Sequence, residues 1–444
     1  MEWCRNTLSS VWPYVKHLPW RALDVTKEGK IISQYLLGKC EKLTRSNHPD
    51  PPLLAMAPAA AAAAAVVLGD DLLREVFLRL PAPEDLVRAA AACKPFLSAA
   101  RSGPFLRRFR RLHPSSCPRL LGCLLLLPGR RRAPRLLPTP AAAAAATGHA
   151  GDFSLSFLPG GWLSRWFGSG SWQLLDCRNG RLLLRKLGTQ QLAVADPVAR
   201  RCVSLPAPPV AEPPVGYGLV ADDADSSEFG VVCVSRDAAA SALRALVLSS
   251  GELAWAEAAA LPCQLDPAAP RAMQASRSLY WTLHGGERMV AFSTVTMAFS
   301  VLELPPTLRQ LSFDVIEKRD DGDRDLLHLL TMRGFCVEVW AAAAGGGDGG
   351  NGVTWRRLEK SVRFHTALAR MIQPSVEYYQ HRLDVVGVAA GVVFVRLWGH
   401  LISISMETMK LEVLSKASSE VLIYPYAIAW PPSFLHPAAE GQDA

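Results

Sequence analysis

From about residue 151 onward, the sequence repeats a pattern of short apolar runs separated by turn residues. Consecutive units lie roughly 40 to 55 residues apart and each carries three or four strand candidates, a spacing typical of propeller blades. No unit has a fixed signature, and an antiparallel sandwich leaves a similar trace. The pattern therefore predicts a mainly antiparallel all-β domain over 151–436, β-propeller-like, with a sandwich as the alternative.

Residue types predict three hairpin turns inside this region. Asn179-Gly180 lies between two apolar runs, and this pair favours a type I′ turn because both central positions need a positive φ. Asp196-Pro197 predicts the next turn. The glycine-rich stretch 345–352 is expected to be an exposed hairpin tip. A phosphate cradle is less plausible there, because neither a helix start nor a Lys-Ser/Thr pair follows.

A short segment ahead of the β region has helical periodicity. Apolar residues over 72–80 recur at the spacing of one helix face, and Asp70 and Asp71 lie in the expected first turn, where the helix dipole favours acids. Pro81 ends this pattern, which resumes over 84–97. A helical unit of about 45 residues is marginal on its own, so we expect a partner to complete it.

Charge is concentrated in the same part of the chain. The net charge is +8, but residues 66–140 contain 14 basic and 5 acidic residues, a local balance of +9. Residues 141–444 contain 26 basic and 30 acidic residues, a balance of −4. The large β region therefore offers no bulk attraction for nucleic acid, and no nucleic-acid partner is expected.

Candidate residues for chemistry are few. The 10 cysteines include no C-x-x-C pair and the 10 histidines are isolated, so no metal or other cofactor is expected. No nucleophile, base and oxyanion donors can be assembled, which argues against an enzyme. The uncharged run 51–69 is alanine-rich and contains three prolines, which argues against a membrane span. With no secretory leader or glycosylation sequon, we expect a cytoplasmic and/or nuclear protein.

These observations divide the chain into five parts. We further expect translation to begin at Met56, where a small-residue leader runs into the first helix. The expected parts are a poorly ordered or Ala-rich extension over 1–65, a helical module over 66–115, a Pro/Arg/Ala-rich linker over 116–150, the β domain over 151–436 and a disordered tail over 437–444.

The string at 68–109 resembles the F-box motif. The matching positions, in order, are Leu68, Asp71, Leu72, Leu73, Val76, Phe77, Arg79, Leu80, Pro81, Asp85, Leu86, Arg88, Cys93, Lys94 and Phe96. The resemblance implies a small three-helix module that docks on a Skp-family adaptor. It thereby implies a non-catalytic subunit, joined through the adaptor to the cullin and RING subunits of a ubiquitin ligase.

The resemblance also implies which side chains meet the adaptor. These are Leu68, Leu72, Val76, Phe77, Leu80, Pro81, Leu86, Ala90, Cys93 and Phe96. Three departures from the family pattern put the strength of docking in question. Gly69 replaces a proline, Ala92 replaces a valine, and Pro95 stands where a helix would continue, so that it should kink or restart the helix.

The β region resembles the F-box-associated regions of grass F-box proteins, which are often propeller-like. The pieces that carry this resemblance are LLDCRNGRLLL, the Tyr280-Trp281 strand, GFCVEVW and YPYAIAWPPSF. It implies a domain that binds a protein substrate, whose identity and binding residues are unknown. The alternative is an adaptor-independent β scaffold with a degenerate F-box.

Overall fold

The computed structural model describes much of the chain from Gly69 onward. In this part, four short helices precede 24 strands, which form six antiparallel sheets. Leu68, the extension expected over 1–65 and the tail expected over 437–444 lie outside the described residues. The described residues are 69–113, 119–126, 134–140, 155, 157–158, 172–198, 200–221, 228–262, 271–275, 277–309, 311–319, 325–333, 336–344, 353–358, 362–363, 383–418 and 421–429.

The helical module contains four helices where the sequence analysis expected three. They are α1 (69–78), α2 (Pro83–Ala92), α3 (Lys94–Ala100) and α4 (Gly103–Leu112). Cys93 has an extended backbone with φ −157° and ψ 161°, and it separates α2 from α3. The restart predicted from Pro95 is therefore confirmed. Proline in the first turn of α3 loses no helical hydrogen bond there, whereas inside one continuous helix it would.

Aromatic side chains pack the helical module together. The rings of Phe77 and Phe96 meet edge to face with centroids 5.4 Å apart, and Phe77 also meets Phe105 at 6.3 Å. His113, just after α4, stacks on Phe109 at 4.2 Å. One ring nitrogen of His113 lies 2.9 Å from the Phe109 carbonyl oxygen and the other lies 2.8 Å from that of Leu80. His113 thus ties the end of α4 to the chain just after α1.

The six sheets follow one another along the chain as the blades of a propeller. Blade 1 contains β2 (Arg135–Pro138), β1 (Arg119–Leu126) and β24 (Leu422–Ile428). Blade 2 contains β3 (Trp172–Arg178), β4 (Arg181–Lys186), β5 (Leu192–Asp196) and β6 (Arg201–Leu205). Blade 3 contains β7 (Gly216–Ala221), β8 (Phe229–Asp237), β9 (Ala242–Ser249) and β10 (Trp255–Pro262).

The remaining blades repeat the same order. Blade 4 contains β11 (Met273–Ala275), β12 (Ser278–Thr282), β13 (Arg288–Ser293) and β14 (Ala298–Glu303). Blade 5 contains β15 (Phe313–Arg319), β16 (Asp325–Arg333), β17 (Cys336–Ala344), β18 (Val353–Arg357) and β19 (Val362–Arg363), which also pairs with β17. Blade 6 contains β20 (Asp384–Ala389), β21 (Val392–Leu397), β22 (His400–Ser405) and β23 (Leu411–Lys416).

The strands β3, β7, β11, β15, β20 and β24 form the inner ring of the propeller. Each contacts its neighbours in the adjacent blades, and Tyr217 bridges to Arg271 between β7 and the start of β11. Successive sheets around a common axis are a propeller, so the sandwich alternative is excluded.

The ring closes by pairing the two ends of the β region. The strand β24, near the C-terminus, pairs antiparallel with β1, with Cys123 opposite Pro425. Part of the segment assigned above to a linker, 116–150, is therefore blade 1. The apolar run of β1 finds its partner some 300 residues further along the chain, which no local pattern can indicate.

The predicted turns can be compared with the strands around them. Asn179 and Gly180 have φ of 46° and 81° between the paired ends of β3 and β4, so the Asn-Gly turn is confirmed. The turn at Asp196 is confirmed as well, and the Asp196 carboxylate accepts a hydrogen bond from the backbone of Val198 at 3.0 Å. The strands on either side of 345–352 pair with each other, although the glycine-rich stretch itself lies outside the described residues.

The helical module and the first two blades share an apolar core. This core contains Phe77, Leu86 and Phe109 from the helices together with Leu124 of β1 and Leu184 of β4. At its margin, an Arg119 guanidinium nitrogen lies 2.6 Å from a carboxylate oxygen of Glu84. The module therefore packs directly on the propeller.

Candidate functional site

The side chains implied in adaptor binding lie at three levels of burial in the module. Leu72 is 59% exposed and Pro81 is also exposed. Phe77, Leu86 and Ala90 are at most 3% exposed and belong to the core. Leu72 and Pro81 are therefore the candidates that are fully accessible to a partner, and the other described candidates outside the core are half-buried. The half-buried members are Val76, Leu80, Cys93 and Phe96.

The exposed face of the module is formed by α1 and α4, which run parallel. Glu75 pairs with Arg108 at 2.6 Å, and the Leu80 carbonyl meets His113 at 2.8 Å. Both contacts join residues 33 positions apart, which is the pattern of two helices side by side in the same direction.

A second large apolar side chain is exposed on this face. Leu112, at the end of α4, is 56% exposed and lies one turn beyond Arg108. The sequence analysis missed it, because its neighbours in the chain are arginines and indicate a solvated helix. No local signal separates Leu112 from a residue of a solvated helix, because the pairing of Arg108 with α1 is visible only in the folded chain.

Gly69 has a backbone conformation that explains one departure from the F-box pattern. Its φ is +68°, and an added Cβ would meet nothing within 4 Å. Proline fixes φ near −65° and cannot adopt this conformation. The glycine is therefore required by the backbone, and the helix starts here in a different way from the family pattern.

A second cluster of polar residues lies at the propeller axis. The Asp176 carboxylate on β3 accepts a hydrogen bond from the backbone N–H of Leu219 on β7, at 2.8 Å. The Asp314 carboxylate on β15 accepts one from Val388 on β20, at 2.9 Å. Each carboxylate thus joins the inner strand of its own blade to that of the next blade.

Two arginines balance these carboxylates. Burial raises the pKa of Asp176 and of Asp314, and the positive charges of Arg178 and Arg271 act in the opposite direction. Arg271 donates a hydrogen bond to the Val386 carbonyl at 3.2 Å, and its guanidinium lies 5.2 Å from the centre of the Tyr424 ring. Burial also raises the pKa of Tyr424, to about 12.

The axis cluster is built to hold blades together. Both oxygens of each carboxylate accept hydrogen bonds from backbone N–H groups. Neither Asp176 nor Asp314 is therefore free to act as an acid or a base. Sequence analysis missed this cluster because its members come from separate blades. The available signal was an aspartate inside an apolar strand, as in LLDC and FDVI. Among the residues that the structure describes, no group of three or more His, Cys, Asp or Glu could hold a metal ion.

Tryptophans join the outer strands of neighbouring blades. The indole N–H of Trp255 in β10 donates to the Pro206 carbonyl just after β6, at 3.0 Å. Trp355 in β18 donates in the same way to the Glu303 carbonyl at the end of β14, at 2.7 Å. These two indoles connect blade 3 to blade 2 and blade 5 to blade 4.

No helix in the described part of the chain is both long and apolar enough to cross a membrane.

Comparisons with solved structures find distant matches. The nidogen/laminin complex is 11% identical with a TM-score of 0.33, covering 69% of this chain and 95% of that chain. TolB from Acinetobacter baumannii is 14% identical with a TM-score of 0.32, covering 63% of this chain and 57% of that chain. YCF48 bound to a D1 peptide is 7% identical with a TM-score of 0.32, covering 58% of this chain and 78% of that chain.

Sequence comparisons give a sharper result. No curated protein matches the chain. The family described as F-box protein AT5G49610-like, beta-propeller, matches residues 173–434, which is more than half of the chain and spans blades 2 to 6 together with β24. On this match, and with the six-bladed fold, the chain belongs to the AT5G49610-like family of F-box protein β-propellers.

Proposed function

We propose that this protein is the substrate-recognition subunit of an SCF-type (Skp-cullin-F-box) ubiquitin ligase. The helical module docks on a Skp-family adaptor, and through it on the cullin and RING subunits, while the propeller holds a protein substrate. The observation that carries the proposal is the order of the parts: a propeller of an F-box protein family follows a helical module with an exposed apolar face. Its site of action is the cytoplasm and/or the nucleus.

The work of such a subunit is to bring two other molecules together. A substrate held by the propeller meets the ubiquitin carried by the ligase at high effective concentration, so the transfer becomes nearly intramolecular. The subunit supplies no catalytic residue in this scheme. The axis cluster supports this, because Asp176 and Asp314 are engaged in joining blades.

The burial of the module divides the adaptor-binding candidates into two roles. Leu72 and Pro81, with the half-buried Val76, Leu80, Cys93 and Phe96, form the contact surface. Phe77, Leu86 and Ala90 hold the helices that present this surface. Leu112 extends the surface along α4. Leu72 is the most exposed large apolar side chain of this surface, so it can lose the most accessible area on docking and is expected to matter most.

The contact between module and propeller gives the complex a defined geometry. The shared core and the Glu84–Arg119 ion pair hold the helices against blades 1 and 2. A substrate on the propeller is then presented at a fixed distance and direction from the adaptor. Proximity is productive only when such geometry allows both partners to be engaged at once.

The test is binding of a purified Skp-family adaptor to the full chain, measured by calorimetry. Leu72→Asp places a charge on the exposed apolar face and should weaken binding at least tenfold, while the melting temperature stays unchanged because Leu72 is 59% exposed. Leu253→Asp is the matched control. Leu253 is an exposed leucine in a turn of blade 3 with φ of 53°, a conformation that aspartate tolerates.

The alternative is an adaptor-independent β scaffold in which the F-box has degenerated. The departures at Gly69, Ala92 and Pro95 favour it, since α1 starts at a glycine with positive φ and the second helix is split at Cys93. A native chain that does not bind the adaptor at micromolar concentration would overturn the ligase proposal and support the scaffold. Equal binding by the native chain and Leu72→Asp would overturn the proposed contact surface.

A further inference from the structure

The outer strand of a propeller blade has one unpaired edge, which invites pairing with another chain unless it is protected. Five of the six outer strands in the described part of the chain carry a protective feature. The strand β2 has only four residues and ends at Pro138. The others are protected by Arg201 and Pro206 around β6, by a bulge between Glu257 and Ala259 in β10, by Arg356 and Arg357 in β18, and by Lys410 and Lys416 at β23.

The outer strand of blade 4, β14, has such features only at its C-terminal end, where Glu303 closes the strand and Pro305 and Pro306 follow shortly after it. Its register with β13 is continuous from Ala298 to Glu303, without a bulge, and the strand contains neither proline nor a basic residue. From Thr294 to Leu302 the chain has no charged side chain. Val301 on the strand is 38% exposed. An edge of this kind is the type that pairs with another strand.

The hydrogen bonds of β14 show which backbone groups face outward. The N–H of Leu304 donates to the carbonyl of Glu287 across the sheet at 2.8 Å. Because residues in an antiparallel pair alternate between inward and outward hydrogen bonding, Phe299, Val301 and Glu303 direct their backbone groups outward. The indole of Trp355 bonds the Glu303 carbonyl from that side, which agrees with this alternation. In the described part of the chain, the backbone groups of Phe299 and Val301 thus form a short edge that pairs with no strand, although β14 also contacts β10 of blade 3.

We propose that β14 pairs antiparallel with β14 of a second copy of this chain, about a two-fold axis at Ser300. In this register Phe299 of one copy lies opposite Val301 of the other. Both residues direct their backbone groups outward, so the two pairs can form four hydrogen bonds. An aromatic side chain opposite a β-branched one is a favourable cross-strand pair. A two-fold contact uses the same patch on both copies and closes on itself.

The charges of the strand favour a second copy over a charged partner. Glu303 is the only charged residue of β14. In the proposed register it lies opposite Met297 of the other copy, so the two glutamates are at opposite ends of the pair, roughly 20 Å apart. Like charges therefore do not meet, and an acidic or basic strand would find no complementary charge along 294–302.

The first experiment measures the mass of the full chain in solution by sedimentation equilibrium over a range of concentrations. The native chain is expected to reach the mass of two copies. Val301→Lys should shift it to one copy, because it places two cations side by side near the centre of the pair. Val295→Lys is the control, since Val295 is 63% exposed at the hairpin tip outside the paired strand, and should leave the dimer intact. Circular dichroism checks that each variant is folded.

The second experiment tests the register by disulfide formation under mild oxidation. Ser300→Cys should cross-link two copies, because residue 300 faces itself in a pair with Cα atoms about 4.5 Å apart, within reach of a disulfide. Ala298→Cys should not, since the two residues 298 would be about 14 Å apart along the strands. The native chain, with its own cysteines, is the background.

A native chain with the mass of one copy at every concentration would overturn the proposal, whether the edge is covered by another part of the chain or left open. A dimer that persists in Val301→Lys, or one that cross-links through Ala298→Cys and not through Ser300→Cys, would overturn it as well. Neither experiment involves adaptor binding, so their outcomes test the inference independently of the proposed function.

Discussion

The helical module and the propeller bury polar groups in different ways, and the difference separates the binding surface from the scaffold. The module buries aromatic and aliphatic side chains together with Arg110 of α4, and large leucines are left on its exposed face. The propeller has charged side chains at its axis, each used to join neighbouring strands. The buried carboxylates at the axis therefore mark structure, and the exposed leucines of the module, Leu72 and Leu112, mark the candidate contact.

The largest expected effect tests the propeller side of this comparison. Arg271→Met removes one of the two arginines that balance the carboxylates of Asp176 and Asp314, and should lower the free energy of unfolding by about 4 kcal/mol. Urea denaturation measures it. A loss below about 1 kcal/mol would mean that the axis cluster does not hold the blades together.

The same variant makes a prediction about pH. Burial raises the pKa of both carboxyl groups above the ordinary value of 3.8, so their contribution to stability is present below that value and is lost as the pH rises through the folded-state pKa. Removing Arg271 raises these pKa values further. The difference in unfolding free energy between variant and native chain should therefore be larger at about pH 7 than at about pH 4. A difference that grows toward low pH would contradict this account.

The next largest effect tests the module side. Leu86 is fully buried in the core that the helices share with blades 1 and 2. Leu86→Ala should lower the free energy of unfolding by about 3 kcal/mol, because the shortened side chain leaves a cavity. Hydrogen exchange should show the loss in both the helices and the first two blades. If exchange rose in the helices alone, the module would be an independent unit and the shared core would not couple the two regions.

A smaller effect tests how the ring closes. Gly180 has φ of 81°, and an added Cβ would lie 2.9 Å from the Ile428 side chain on β24. Gly180→Ala should therefore cost about 1–2 kcal/mol through backbone strain and crowding. Gly188→Ala is the control, since that glycine also has a positive φ but nothing within 4 Å of an added Cβ. Equal thermal shifts in the two variants would show that contact with β24 contributes nothing.

The smallest effect concerns the tryptophans between outer strands. Trp355→Phe keeps an aromatic ring but removes the hydrogen bond to the Glu303 carbonyl. The loss of one such bond should lower the free energy of unfolding by about 1 kcal/mol. Thermal melting measures it, with Trp340→Phe on β17 of the same blade as the comparison. A larger change for Trp340→Phe would contradict a special role for the indole contact at the rim.

Local patterns in the sequence predicted much of the fold. The first helix, the restart at Pro95, the Asn179-Gly180 turn and the blade-like spacing all depend on residues close together in the chain, and all are confirmed. The single apolar face expected over 72–80 is not, because the helix ends at residue 78 and Leu72 is exposed while Leu73 and Phe77 are buried. Blade 1 was not predicted, because the partner of β1 is β24 at the far end of the chain. Strand pairing over such a distance leaves no periodic trace.

The candidate site was predictable to a smaller degree. Helical periodicity and the F-box resemblance identify an apolar set, but they do not distinguish Leu86 in the core from Leu72 on the surface. That distinction depends on which helix face packs on the propeller. The axis cluster needs even more long-range information, since Asp176, Arg271 and Asp314 come from different blades and meet only when the ring is closed.

Hydrogen–deuterium exchange of the full chain, with and without a purified Skp-family adaptor, tests the central claim most directly. If the exposed faces of α1 and α4 form the contact surface together with Cys93 and Phe96, the adaptor should slow exchange over 69–81, 93–96 and 106–113, while blades 3 to 6 remain unchanged. Protection confined to the blades, or no change at saturating adaptor, would contradict the account.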